Sequence, residues 1–422
     1  MQPGQLIDLD IADVAHGGVF VGRHEGRVVF VPDAIPGERV RVRLTDTSKA
    51  AFWRGEVLEV LDASSHRRPH IWRQADVDVA PEHRPGGADF GHIDIRHQRR
   101  LKAHVIGDAL QRFAGIETSV LVHPAGVGDD ERTWERPQAT RWRTRVSLHV
   151  DADGAVGPYA ARSHRVVRFD DLPLATAEIE RVARAVADRG DAQPGRIDLV
   201  QPADGIVRVI PRPEARRGSV PEARETVLEN VGPHRFRLDA GGFWQVHRLA
   251  ADTLFGTVGG ILGGLAVDPE AQHFDLYGGV GLFATAIAAH AGRYVTGVES
   301  DARAADHAID NLAAWPHAQV VRARVDRWLP RLAADASAAD RARIARGVVV
   351  LDPPRSGAGR DVVRALTDLG PASVVYVACD PVALARDLRT FRDAGYETSH
   401  LNAFDLFPHS HHVETVATLQ RT

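Results

Sequence analysis

From about residue 243 onward the chain alternates short apolar runs with amphipathic stretches, and this rhythm narrows the fold more than any other feature. Strands are read at 273–276, 294–298, 318–321, 347–351 and 373–377. Helices are read between them at 282–291, 301–314, 332–345, 360–369 and 383–394, followed by a terminal strand pair. Strands separated by helices form βαβ units, so this part is an α/β domain with a doubly wound parallel sheet. Such sheets hold ligands outside the carboxyl ends of their strands.

The preceding residues have other textures. Over 1–62, period-2 alternation (Leu6, Asp8, Asp10 against Ile7, Leu9, Ile11) and turns at Gly17-Gly18, Glu25-Gly26 and Pro36-Gly37 predict five short strands in a small OB-type barrel. Residues 63–240 read as a central α+β domain. It begins with an irregular His-, Arg-, Pro- and Gly-rich connector over 63–100, followed by a helix from 93 to 113 that stops at Gly115. Further strands are expected at 141–150, 197–200 and 206–210, with a helix near 175–187. The third domain is 241–422, and a 422-residue chain is long enough for several cores.

The single cysteine, Cys379, excludes an internal disulfide, a cysteine zinc finger and an all-cysteine iron–sulfur cluster. His66, His70, His83, His92, His97 and His104 match no zinc spacing and read as solvated, so no metal site is expected. With no signal-like N-terminus and no run of 18 apolar residues, a cytoplasmic protein that does not engage membranes is expected.

Three strand ends carry chemistry. Asp275-Leu-Tyr-Gly-Gly-Val-Gly281 follows a strand and opens a helix, where Gly279 and Gly281 permit a tight turn and close approach to a ligand. Eighteen residues on, Glu299 ends the next strand, where a carboxylate can accept both hydroxyls of a ribose. Asp352-Pro353-Pro354-Arg355 ends a third strand, stiffened by its prolines, and Cys379-Asp380-Pro381 ends the one after it. A cysteine there can project into the same crevice as a nucleophile. Glu414, in a strand pattern, is by default a solvent-facing residue.

These segments, with Phe243-Trp244-Gln245-Val246 and His412-Val413-Glu414, occur in one order that resembles the RNA (uracil-5-)-methyltransferase family. The barrel resembles the TRAM domain of many members, and Trp142 to Arg145 resembles their central domain. The resemblance implies a class I, S-adenosylmethionine-dependent domain of Rossmann-like fold at 241–422. It implies cofactor contacts from Gln245, Tyr277, Glu299 and Asp352, beside Gly279 and Gly281. It also implies a reaction in which the Cys379 thiolate adds to uracil C6, C5 is methylated, and Glu414 removes the C5 proton. The target base must leave its stack.

Many relatives carry four cysteines after the barrel for a 4Fe–4S cluster. Here Ala88 stands where one is expected, so no cluster is expected. Leu282 replaces a polar residue common in relatives, and Arg324-Val325-Asp326 departs from their usual acid. Structured RNA is the expected partner of a monomeric enzyme, with ribosomal RNA ahead of transfer RNA. Residues 63–240 hold 28 basic and 26 acidic side chains, and Arg141, Arg143 and Arg145 read as one face of a strand facing RNA phosphates. Two rival readings stay open: an inactive RNA-binding assembly factor, and a methyltransferase acting at another RNA position, for which the thiol would be unnecessary.

Overall fold

A computed structural model describes residues 1–126, 137–214 and 224–422. The first five strands are β1 (Leu6–Ala15), β2 (Val19–His24), β3 (Arg27–Val31), β4 (Arg39–Asp46) and β5 (Phe52–Asp62), closed into a barrel in the order β1-β2-β3-β5-β4. Alternate residues Ile7, Leu9 and Ile11 point inward beside Phe20 and Trp53, leaving no unpaired sheet edge. Phe30 and Phe52 are only half-buried and meet edge to face, with Arg54 over the Phe52 ring.

Helix α1 (Ile95–Ala109) starts where the Asp94 carboxylate accepts the amides of Arg96 and His97. It continues through a π-turn at Leu110–Ala114 and stops at Gly115, whose φ of +64° is open to glycine at little cost. Two connector histidines expected to be solvated are buried. His70 Nε2 donates to Ala88 O (3.0 Å) while its Nδ1 accepts from the Trp72 amide, and His92 Nε2 donates to Ala34 O (3.0 Å). Burial depresses both imidazoles, so they stand neutral; His92 ties the connector to the barrel, and His70 braces the connector internally.

A short strand, β6 (Val122–Pro124), precedes the central domain. That domain contains β7 (Arg145–Val150), β8 (Val156–Gly157), α2 (Ala177–Arg189), β9 (Gly195–Val200) and β10 (Arg208–Pro213), with sheet order β10-β9-β7-β8. The expected strand face of three arginines does not form, because β7 begins only at Arg145. Arg141 has φ +60°, and its guanidinium turns to Glu180 instead. Next comes a separate hairpin, β11 (Thr226–Val231) and β12 (His234–Asp239).

The last domain opens with α3 (Ala250–Gly264), a helix hidden in sequence by its five glycines. Then follow β13 (His273–Leu276), α4 (Leu282–His290), β14 (Val295–Glu299), α5 (Ala302–Asn311) and β15 (Gln319–Arg322). The helix expected at 332–345 is two, α6 (Val325–Asp335) and α7 (Ala338–Ile344). They separate at Ser337, which with Asp340 forms a capping box. The chain ends with β16 (Val348–Leu351), α8 (Arg360–Leu369), β17 (Ser373–Ala378), α9 (Pro381–Asp393), β18 (Tyr396–Asp405) and β19 (Glu414–Arg421). The sheet order is β15-β14-β13-β16-β17-β19-β18-β6.

The apolar runs of β16 and β17 follow from cover on both faces. Val349 and Leu351 join one core with α8 and α9, while Val348 and Val350 join another with α3 and α4. The first five strands run parallel, but β19 is antiparallel to both β17 and β18. Its first residue therefore sits at the same sheet edge as the last residues of its neighbours. Among the described residues, no helix is long and apolar enough to cross a membrane.

Polar groups on α1 secure the chain between β18 and β19. Gln98 accepts from the His409 amide (2.9 Å), and the fully buried Lys102 ammonium meets the Asp405 carboxylate and donates to Phe407 O (3.0 Å). Asp405→Ala would leave the Lys102 charge buried without its partner. A loss of about 3–5 kcal/mol is expected for this change in chemical denaturation. Lys102→Met combined with Asp405→Leu should cost less, and an unchanged midpoint in Asp405→Ala would show that the pair does not hold the two elements together.

Candidate active site

At the carboxyl end of the sheet lies a cavity of 1620 Å³, lined by Gln245, Tyr277, Gly279, Glu299, Asp352, Cys379 and Glu414. All but Gln245, which lies in the loop between β12 and α3, owe their place to a strand end. After β13 the backbone turns at Tyr277 (φ +66°) and Gly279 (φ +53°), and a Cβ on Gly279 would meet nothing within 4 Å. A Cβ on Gly278 would come 3.0 Å from the Asp275 carboxylate. Gly281, φ +91°, starts α4 and shapes the turn, but it does not line the cavity.

Glu299 ends β14. Its Oε2 accepts from the Gly279 amide at 2.9 Å, and its Oε1 accepts from the Asp301 amide at 2.6 Å. The glycine turn and the acid thus hold one another, and Oε2 keeps a lone pair for a hydroxyl in the cavity. Beneath the turn, Asp275 accepts the Ala284 amide at 2.7 Å through Oδ2, while its Oδ1 is buried without a partner. Burial pushes this carboxyl up to about 7. Tyr277 is likewise pushed up to about 12 by burial, so its hydroxyl remains a donor.

Asp352 follows β16, and its amide donates to Leu276 O (3.3 Å). The loop after Pro354 is held by Asp387, whose Oδ2 accepts from the Ala358 amide (2.8 Å), the Gly359 amide (3.2 Å) and the Tyr376 hydroxyl (2.6 Å). Cys379 follows β17, whose last pairing is Ala378 with Thr415. One step further along the two antiparallel strands are Cys379 and Glu414, so the thiol and the carboxyl are cross-strand neighbours. Glu414 is 4% exposed, which overturns the default of a solvent-facing strand residue.

These groups disturb one another. Burial, then the charges of Glu414 and Asp352, push the Cys379 thiol up to about 12, against the pull of Arg355. Burial and Asp352 raise Glu414 well above the usual carboxylate range, again opposed by Arg355, and burial raises Asp352. Arg355 is the cation common to this cluster, and it lies 3.4 Å from His412 Nε2. Its part was not drawn from the sequence, although it stands inside the proline motif already noted. Phe243, 76% exposed on the rim, is a second residue whose position only the fold reveals. The two positions that depart from relatives also line the cavity: Leu282 is buried, and Asp326 is held by Arg324 at 2.7 Å.

The barrel reaches this site. His16 Nε2 lies 2.8 Å from Asp380, the residue after Cys379, whose other oxygen caps α9 through the Val382 and Ala383 amides. The next turn residue, Gly18, packs so closely on Asp89 and His411 that a Cβ would come within 2.8 Å of both. Of the three arginines, Arg143 reaches the cavity wall, Arg145 donates to Ala240 O and Gly242 O, and Arg141 does not line this cavity.

Residues 1–58 match the TRAM domain, and residues 267–422 match the tRNA (uracil-5-)-methyltransferase family model. An RNA methyltransferase of Streptomyces avermitilis is 39% identical, with 99% of this chain and 98% of that protein covered. One of Bifidobacterium longum is 35% identical over 98% and 96%. The Pyrococcus abyssi tRNA (uracil-54, C5)-methyltransferase, solved with S-adenosyl-L-homocysteine, shares the fold. Its TM-score is 0.69 at 19% identity, covering 97% of this chain and all of that one.

Because Cys379 is the only thiol, its chemistry can be read without labelling ambiguity. With the thiol at about 12, the thiolate is on the order of 10⁻⁴ of the total at pH 8. Alkylation by iodoacetamide is expected to be correspondingly slow and to rise about tenfold per pH unit up to pH 11. Arg355→Ala should slow it further, and a wild-type rate like that of free cysteine would refute this electrostatic account.

Proposed function

Since the chain belongs to the RNA (uracil-5-)-methyltransferase family, we propose that it converts a uridine of structured RNA to 5-methyluridine, using S-adenosylmethionine. The observation that carries this reading is the cross-strand placement of Cys379 and Glu414 at the sheet edge, with Asp352 in the same cavity. An enzyme that methylates an amino group needs no such thiol. The cavity suits the cofactor: an open glycine turn and a carboxylate with a spare lone pair at Glu299. Gln245, Tyr277, Gly279, Glu299 and Asp352 would hold it. When bound, S-adenosylmethionine supplies an electrophilic methyl group on a sulfonium.

The chain's own residues do the rest. Uracil C5 is a weak nucleophile, so the Cys379 thiolate first bonds to C6, and the electron pair of the C5–C6 double bond moves to C5 and O4. Once C5 carries its methyl group, it also carries a proton. Ionised Glu414 takes that proton, the pair returns to C5–C6, and the C6–S bond breaks to restore the thiolate. Arg355 offsets negative charge beside both groups. Exposed Phe243 at the rim offers a face on which an unstacked base can rest. Arg143 reaches toward the RNA backbone from the central domain. Ribosomal RNA is the first substrate to test and transfer RNA the second.

Total RNA from a strain lacking this protein, incubated with labelled S-adenosylmethionine, tests the proposal. Mass spectrometry should find the label in 5-methyluridine, and the labelled fragment identifies the RNA. Cys379→Ala should reduce methylation by at least 10³-fold while cofactor binding changes less than about threefold. Glu414→Gln should accumulate a covalent protein–RNA adduct. Label at another base position, or normal turnover by Glu414→Gln, would overturn the mechanism. Cofactor binding without any labelled RNA would instead favour an assembly factor.

A further inference from the structure

A second cavity, of 590 Å³, adjoins the first inside the central domain. Arg143, Gly241, Gly242 and Val246 line both, so only this thin wall divides them. Its volume is within the range of ligand pockets, about 300–1000 Å³. Its charge is one-sided. Arg143, Arg145, Arg162 and Arg196 line it against a single carboxylate, Asp198. That carboxylate is already engaged by the Ser147 hydroxyl (2.6 Å), by Arg196 (3.0 Å) and by Arg212 (3.3 Å).

Neither Arg143 nor Arg145 forms an ion pair among the described residues; their hydrogen bonds go to backbone carbonyls. Arg143 donates through Nε to Arg145 O at 3.0 Å, and no carboxylate among the described residues lies within ion-pair reach of it or of Arg355. These two guanidinium groups lie close enough to repel one another. Arg145 spends Nη1 on Ala240 O and Gly242 O, and its Nε and Nη2 are buried with no partner. The Nη groups of Arg143, which lines both cavities, have no hydrogen-bond partner among the described residues, and a guanidinium in this state suits an anion or a carbonyl oxygen. The Tyr159 ring also lines the cavity, with one face stacked on His149.

We infer that this cavity is a second nucleotide site: it takes an unstacked nucleotide adjoining the target uridine, with the linking phosphodiester held by Arg143 between the two cavities. The inference rests on the RNA reading above and specifies how more than one nucleotide is held. A site of this kind makes recognition depend on a neighbour of the target as well as on the target. It requires the RNA to be unpaired over at least two successive nucleotides.

The full-length protein can be tested by equilibrium binding of the trinucleotide ApUpA against uridine 3′,5′-bisphosphate, which has the phosphates but no neighbouring bases. The wild type is expected to bind ApUpA at least tenfold more tightly. Ser147→Trp, at an exposed strand position on the cavity wall, should remove that advantage while binding of the bisphosphate stays unchanged. Arg143→Ala should weaken both ligands, and Arg143→Lys should restore only part of the loss. If Ser147→Trp fails to fold by circular dichroism, Tyr159→Ala and Arg162→Gln give the same readout from the wall and the mouth.

Equal binding of ApUpA by the wild type and a folded cavity variant would overturn the second site. The two proposals fail separately. Formation of 5-methyluridine with no ApUpA advantage removes only the second site. An ApUpA advantage that Ser147→Trp abolishes, without any 5-methyluridine, removes only the proposed reaction.

Discussion

The direction of one strand governs the site. A purely parallel sheet would bring only carboxyl strand ends to its functional edge. Insertion of β19 antiparallel between β17 and β18 brings an amino end there instead, so that Glu414 meets Cys379 across one ladder. Everything that holds β19 therefore holds the site. The α1 side chains Gln98 and Lys102 fix the preceding loop, and the Thr415 hydroxyl donates to Ala378 O at 2.9 Å directly behind the thiol. A slip of one residue would turn Glu414 to the opposite face of the sheet.

The same placement has an electrostatic cost. Glu414, Asp352 and the thiol crowd one partly desolvated volume, and in low dielectric their charges oppose one another strongly. Arg355 offsets part of this but cannot neutralise three anions at once. The resting site thus favours protonated forms, and ionisation is coupled among the groups. A cationic ligand entering this volume would shift that balance toward the anions.

Much of this was legible before any coordinates. Gly279, Glu299, Asp352 and Cys379 sit at strand ends whose order follows from local patterning, and doubly wound sheets use those ends. What was not legible depends on long-range contacts. The burial of Glu414 requires the pairing and direction of β19, which no local pattern encodes. The glycines of α3 conceal a helix made stable by packing of Leu254, Val258 and Leu262 in the core. Arg141, Arg143 and Arg145 alternate in sequence, yet a left-handed residue at Arg141 and a late strand start turn Arg141 to Glu180 and leave Arg143 and Arg145 on the wall of the second cavity. His70 and His92 are buried against expectation because the polarity of a segment says little about which of its members pack inside it or against the barrel.

The seating of the barrel changes how the whole protein is to be regarded. Small RNA-binding barrels are naturally pictured as grips on a tether, which can be exchanged without touching the chemistry. Here the turn at His16 and Gly18 presses on the residue after the thiol and on the loop that leads to the carboxyl. The barrel is therefore part of the mould in which the thiol and carboxyl are held side by side. Its history must be joined to that of the catalytic domain: a barrel grafted from a relative would need a matching turn, and drift on either side of this seam would call for compensation on the other.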